Sequence, residues 1–160
     1  PGYEADDVVA TLATKVAAAG GRSVILSTDK IYVQLLSERI GVRDHFARRE
    51  WDRLRAIERF GVAPERLVDR LALTGDPTAG LAGVPGVGPK TASQWLARFD
   101  SLEALLAAAA APEGSEPRPP AKLAAKLVDH ADAARRARRL LTLATDLELG
   151  LNLRELRLPA

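Results

Sequence analysis

Three carboxylates stand close together near the start of the chain: Glu4, Asp6 and Asp7. Residues three apart share a helix face, so Glu4 and Asp7 converge if this stretch is helical, with Asp6 flanking them. Carboxylate oxygens at one helix start suit a hard divalent cation. Acidic residues also favour the first helical turn for its dipole, worth about 0.3–1 kcal/mol, and the local sequence leaves both readings open. Asp29 stands just after the short strand-like run Val24-Ile25-Leu26, beyond Ser27 and Thr28. Ligands gather at the carboxyl ends of strands in open α/β sheets, so Asp29 suits a metal ligand as well as it suits a helix N-cap. A third pattern is Gly83-Val84-Pro85-Gly86-Val87-Gly88-Pro89-Lys90-Thr91-Ala92. Its glycines allow tight turning and close approach. Free N–H groups at the following helix start can bind a phosphate, and Lys90 adds a point charge. Backbone carbonyls of such a hairpin can also face a monovalent cation. This is not a Walker loop, because Pro89 separates Gly88 from Lys90. An ordinary helix-to-helix corner is the plainer alternative.

Of 23 basic residues, five are lysines (Lys15, Lys30, Lys90, Lys122, Lys126), leaving 18 arginines. One group of arginines, Arg43, Arg48, Arg49, Arg53 and Arg55, surrounds His45 and Trp51; another comprises Arg135, Arg136, Arg138 and Arg139. Arginine suits phosphate contacts, although most charge runs are solvated faces.

Positioning these residues requires elements that the patterns predict in order. Tyr3 to Ala19 reads as a helix with Val8, Val9, Leu12 and Val16 on one face, stopped by Gly20-Gly21. Arg22 to Ser27 reads as a buried parallel strand. A helix follows from Thr28-Asp29, with Val33, Leu35 and Leu36, then a strand over Ile40 to Phe46. This αβαβ order is half of a doubly wound sheet. Trp51 to Phe60 reads as a helix ended by Gly61, and Pro64 opens another. Gly75 to Gly80 reads as a loop, Pro89 to Phe99 as a helix, and Ser101 caps the next. Ala111 to Pro120 is a Pro- and Gly-rich loop. Helices fit Ala121 to His130 and Ala131 to Ala144, and Leu147 to Leu158 alternates in the manner of an extended segment. The expected division is 1–48 as a partial α/β core and 49–160 as a helical part. There is no internal repeat, and only the alanine run Ala107 to Ala111 is of low complexity.

The 160 residues carry a formal charge of +2, with a sequence pI near 9.3. The content is 47 % hydrophobic and 28 % charged, which is globular and not disordered. No apolar run approaches the roughly 20 residues of a membrane span. The absence of cysteine excludes disulfides, thiolate metal sites and cysteine nucleophiles. His45 and His130 are far apart, so a bound metal is expected to rest on carboxylates. With Pro1 first, no methionine and no signal-peptide pattern, the chain reads as part of a longer protein in the cytoplasm.

Four segments in register resemble the 5′→3′ exonuclease/flap endonuclease family, known as the N-terminal domain of bacterial DNA polymerase I and as free-standing enzymes. They are Gly2-Tyr3-Glu4-Ala5-Asp6-Asp7; Ile25-Leu26-Ser27-Thr28-Asp29-Lys30 with Gln34-Leu35-Leu36; Leu71-Ala72-Leu73-Thr74-Gly75-Asp76; and Gly83 to Ala92. Ser27 to Leu36, with Arg43-Asp44-His45-Phe46, is most similar to the exonuclease IX subfamily. The resemblance implies the C-terminal half of a PIN-like parallel sheet followed by a helical helix–three-turn–helix DNA-binding subdomain. It implies Glu4, Asp6, Asp7, Asp29 and Asp76 as ligands of Mg²⁺ or Mn²⁺. Position alone, and not the resemblance, gives Lys30 the expected role of offsetting phosphate charge. It implies K⁺ on the carbonyls of Val84, Gly86 and Val87, and DNA phosphates on Gly86, Gly88, Lys90 and Thr91. The family pattern has acids at two further places, where this sequence has Ile31 and Ala79. One well-held ion is therefore expected, with a weak or absent second site. The family's earlier strands and basic arch would precede Pro1. The implied activity is a metal-dependent 5′ nuclease acting on duplex or 5′-flap DNA as a monomer. A non-catalytic duplex-binding module is the alternative. A purely structural protein leaves the glycine hairpin unexplained.

Overall fold

The structure is a computed structural model and describes residues 2–150 and 152. It contains two compact units, one running to Asp52 and joined by the described residues from Leu143, the other spanning Arg53–Thr142.

The first unit opens with α1 (Ala5–Ala18), followed by β1 (Ser23–Leu26), a 3-10 helix (Lys30–Leu35), β2 (Ile40–Asp44) and β3 (Arg49–Trp51). β1 and β2 are parallel, with Ser23 opposite Ile40 and Leu26 opposite Arg43, which matches the expected αβαβ start. The buried face of β1 is narrower than its apolar run suggests. Ile25 is buried, but Val24 and Leu26 are about two-thirds exposed, at 64 % and 66 %. A continuous apolar run cannot tell which face a neighbour covers; here α1 packs against β1 and β2. The helix expected after Asp29 is a 3-10 helix. It is short, it carries β-branched Ile31 and Val33, and Asp29 caps it tightly by accepting from Ile31 N–H (2.8 Å).

The helix expected from Trp51 begins later, at Arg53, because Arg49–Trp51 pairs antiparallel with β2. Asp44 makes this reversal by accepting from Ala47 N–H (2.9 Å), and Arg48 takes a positive φ of 47°. That pairing carries the first unit past residue 48, to Asp52. The described residues from Leu143 onward also belong with the first unit. Fully buried Thr11 donates to Ala144 O (3.2 Å), and Lys15 Nζ donates to Leu147 O (2.8 Å). Leu147 to Gly150 has no regular structure, and most of the expected extended tail lies outside the described residues.

The second unit contains α2 (Arg53–Phe60), a 3-10 turn (Pro64–Arg66), α3 (Leu67–Thr74), β4 (Gly75–Asp76), β5 (Leu81–Ala82), α4 (Pro89–Leu96), α5 (Leu102–Ala110), α6 (Ala121–Asp129) and α7 (Ala131–Leu141). α3 is its axis and packs against α4, α5 and α7. Leu67, Ala72 and Leu73 on it are 0 % exposed, so its apolar surface is core on more than one side. Buried Asp69 on α3 accepts from Leu102 N–H at the start of α5 (3.0 Å) and from Arg138 Nε on α7 (2.5 Å). Arg66 donates to Leu96 O and Phe99 O and so closes the end of α4. Ser101 caps α5 as expected, accepting from Ala104 N–H (3.1 Å). The expected loop Gly75 to Gly80 is a miniature hairpin instead: β4 and β5 are antiparallel around a 3-10 turn, Pro77–Ala79.

Candidate functional site

Tyr32 links two acidic stretches of the first unit, Asp6 and Asp7 in the first turn of α1 and Asp29 in the segment after β1. α1 starts at Glu4 with a reciprocal capping box: Glu4 N–H donates to Asp7 Oδ2 (3.1 Å), and the Glu4 side chain accepts from the Asp7 backbone. Asp7 Oδ1 accepts from Ala144 N–H (2.9 Å), so both of its oxygens hold backbone. Asp6 Oδ1 accepts from the Tyr32 hydroxyl (2.7 Å), and Asp29 Oδ1 is bound to its own 3-10 helix. Tyr32 is the centre of this group and is buried. Burial, then the hydrogen bond to Asp6, then the charges of Asp6, Asp29 and Asp7, hold its phenol well above the ordinary range. Tyr32 is therefore a neutral, fixed donor.

Sequence reasoning missed Tyr32, since a lone tyrosine in an apolar helix reads as core. The signal available was its polar tip, which needs a partner when buried. Among the described residues, no group of three or more His, Cys, Asp or Glu closes a metal cage. The donor set is nonetheless of one chemical kind. Glu4, Asp6, Asp7 and Asp29 offer only carboxylate oxygen, which suits a hard divalent cation rather than a soft one. Ile31 occupies the place of an expected family acid as a buried core residue, 8 % exposed, and offers no oxygen. Lys30 opens the 3-10 helix next to Asp29.

Asp76 lies in the second unit. It is buried, and its Oδ1 accepts from Thr78 N–H (3.1 Å) and Thr78 Oγ1 (2.5 Å), capping the Pro77–Ala79 turn. Ala79, at the other expected acidic place, is exposed in that turn.

The glycine segment forms the predicted tight hairpin. Val84 to Val87 is a type II turn: Pro85 takes its second position, Gly86 its third with φ of 80°, and Val87 N–H donates to Val84 O (2.9 Å). Val84 N–H donates to Leu73 O (2.8 Å), anchoring the turn to α3, and Val84 and Val87 are buried. Gly83 fits because it has no side chain: a β-carbon there would lie 2.2 Å from the Thr74 carbonyl carbon. Gly88 is the N-cap of α4 and Pro89 its first residue, which leaves Gly86, Gly88 and Lys90 exposed and Thr91 half-buried. The Val84 carbonyl already closes the turn by accepting from Val87 N–H.

Several arginines of both groups serve the fold. Arg43 pairs with Glu50 across strands (3.5 Å), Arg49 pairs with Asp44 and stacks on Trp51, and Arg53 pairs with Glu65. Arg135 holds Glu103, and Arg138 holds Asp69. Arg136 and Arg139 are exposed.

Comparison with known proteins matches residues 1–61 to the 5′-3′ exonuclease N-terminal resolvase-like domain and residues 62–160 to the 5′-3′ exonuclease C-terminal SAM fold. A protein named flap endonuclease Xni from Aeromonas salmonicida is 46 % identical over 156 residues, covering 98 % of this chain and 57 % of the relative. The protein of the same name from Klebsiella pneumoniae is 46 % identical over 158 residues, covering 99 % of this chain and 60 % of its own. The chain thus spans somewhat over half the length of these relatives. In structure it is similar to bacteriophage T5 flap endonuclease, solved as a pseudo-enzyme-product complex with DNA and metal ions. The TM-score is 0.76 at 23 % identity, covering 90 % of this chain and 51 % of that one. This last likeness is one of fold: a mixed α/β unit with a helical SAM-like part.

Proposed function

The chain belongs to the 5′-3′ exonuclease family, and from that premise we propose that it is part of a structure-specific 5′ nuclease. The protein hydrolyses phosphodiesters of duplex or 5′-flap DNA in replication or repair, as a cytoplasmic monomer. The observation that carries this reading is the gathering of Asp6, Asp7 and Asp29 around the buried Tyr32 hydroxyl, where α1 begins and β1 ends.

Asp6 is aimed by Tyr32, Asp7 holds the helix start and the returning Ala144 segment, and Asp29 stands at the strand end. Glu4, Asp6, Asp7 and Asp29 would hold one Mg²⁺ or Mn²⁺, which supplies an activated water and positive charge at the scissile phosphate. With Ile31 in the core and Asp76 tied to Thr78, a second ion is weakly held. Lys30 offsets phosphate charge beside Asp29. No helix among the described residues is long and apolar enough to cross a membrane.

The hairpin grips the duplex. N–H groups at Gly86 and Gly88, with Lys90 and Thr91, bind backbone phosphates without reading sequence. K⁺ on the carbonyls of Val84, Gly86 and Val87 belongs to the same proposal.

The test is cleavage of an end-labelled 5′-flap duplex in Mg²⁺, Mn²⁺ or EDTA. Cleavage is expected only with the divalent ion. Asp6→Asn should lower it roughly 10²–10³-fold, the scale of losing one stabiliser of transition-state charge. Salt-sensitive duplex binding with no cleavage in either metal would replace this reading with the non-catalytic binding module.

A further inference from the structure

α6 contributes a residue to the glycine hairpin that its distance in sequence conceals. A β-carbon placed on Gly86 would lie 2.6 Å from Lys126 Nζ and 3.9 Å from Lys126 Cε. The ammonium of Lys126 therefore rests directly over the turn. Gly86 is required for its positive φ of 80°, and the ammonium is the near neighbour of the open space beside it. Lys126 is half-buried in the last turn of α6. No carboxylate among the described residues pairs with it, unlike Arg135 and Arg138 on α7. A cation over exposed Gly86, in the same hairpin that leads into Lys90, joins two elements far apart in sequence.

We propose that Lys126 is a phosphate-binding residue of the hairpin, its ammonium held over Gly86 to contact a backbone phosphate of duplex DNA. The inference rests on the reading of the hairpin as a DNA grip and adds to it. A loop of N–H groups alone is neutral, and Lys90 gives it one charge. Lys126 gives a second, and its position is set by tertiary packing and not by the loop. Contact with phosphate, not with base edges, predicts an effect uniform across sequences.

The experiment is equilibrium binding of a fluorescent duplex in EDTA across a range of KCl concentrations. The parent protein is compared with Lys126→Ala, Lys126→Arg and Lys90→Ala. Each neutralised phosphate contributes roughly 0.9 to the slope of log affinity against log salt. Lys126→Ala should lower the slope by about one and weaken binding equally for two unrelated sequences. Lys126→Arg should restore the slope. An unchanged slope in Lys126→Ala, with a reduced one in Lys90→Ala, overturns the role of Lys126 and leaves the hairpin reading standing. Unchanged binding in both alanine variants overturns the hairpin reading and this inference with it. Melting of each variant controls for folding. Lys126→Gln keeps the packed stem and substitutes for Lys126→Ala if that variant melts early.

Discussion

The acidic cluster of the first unit and the glycine hairpin of the second are built by opposite means. In the hairpin the groups offered to a ligand are main-chain atoms, and their placement follows from turn type, two buried valines and one anchor to Leu73 O. In the cluster the offered groups are side chains, each aimed by a different partner. Tyr32 aims Asp6, backbone N–H groups of Glu4 and Ala144 fix Asp7, and the 3-10 helix fixes Asp29. A main-chain site is intolerant of added atoms yet indifferent to most side chains. A side-chain site tolerates small changes of shape but loses its geometry one hydrogen bond at a time.

That contrast is broken most forcefully at Gly83. Its substitution by alanine would place a β-carbon 2.2 Å from the Thr74 carbonyl carbon and 2.4 Å from Gly75 N, both main-chain atoms with nowhere to go. Gly83→Ala should cost about 3 kcal/mol or more in urea unfolding, at or beyond the upper end for overpacking. A cost under about 1 kcal/mol would show that the loop is plastic and not built on close backbone approach.

A smaller effect is expected from Tyr32→Phe, which removes one oxygen and keeps the ring. Loss of the bond to Asp6 should cost about 1–2 kcal/mol near pH 7. Because the native phenol is held above its ordinary range, its stabilising contribution is complete below the pKa of an unfolded tyrosine, about 10. It is lost as pH rises through the raised native value. The variant should therefore lack part of the parent's loss of stability between about pH 10 and 12. Titration with Mn²⁺ should show affinity reduced roughly tenfold, the scale of losing a group that orients a ligand. Equal Mn²⁺ affinity in the two proteins would reduce Tyr32 to a packing residue.

The smallest structural effect belongs to Gly88→Ala. Gly88 has φ of −85°, and nothing lies within 4 Å of the place an added methyl would take, so folding stability should change by less than about 1 kcal/mol. Duplex binding is then the informative readout. Weakened binding at unchanged stability means that a phosphate approaches the main chain there; unchanged binding means that the grip lies elsewhere on the turn.

Local patterns made much of the molecule readable. The start of α1, the parallel β1–β2 pair, the turn at Val84–Val87, the Pro89 start of α4 and the Ser101 cap all follow from neighbouring residues in the chain. β3 was not readable. Arg49-Glu50-Trp51 has no strand-like alternation of its own and becomes a strand only because Asp44 and Arg48 turn it back onto β2. The β4–β5 hairpin is likewise too short for any periodicity.

The acids, the glycines and their order are properties of the sequence, because capping, turn type and hard-donor chemistry depend on residue type and spacing over a few positions. Tyr32 under Asp6, Asp69 between α5 and Arg138, and Lys126 over Gly86 exist only after folding. Each joins residues 26 to 69 positions apart in the hydrogen-bonded cases. Such pairings are selected by what remains unpaired once the core has closed. A buried hydroxyl or carboxylate must find its partner among the groups that packing has brought near, wherever they lie along the chain.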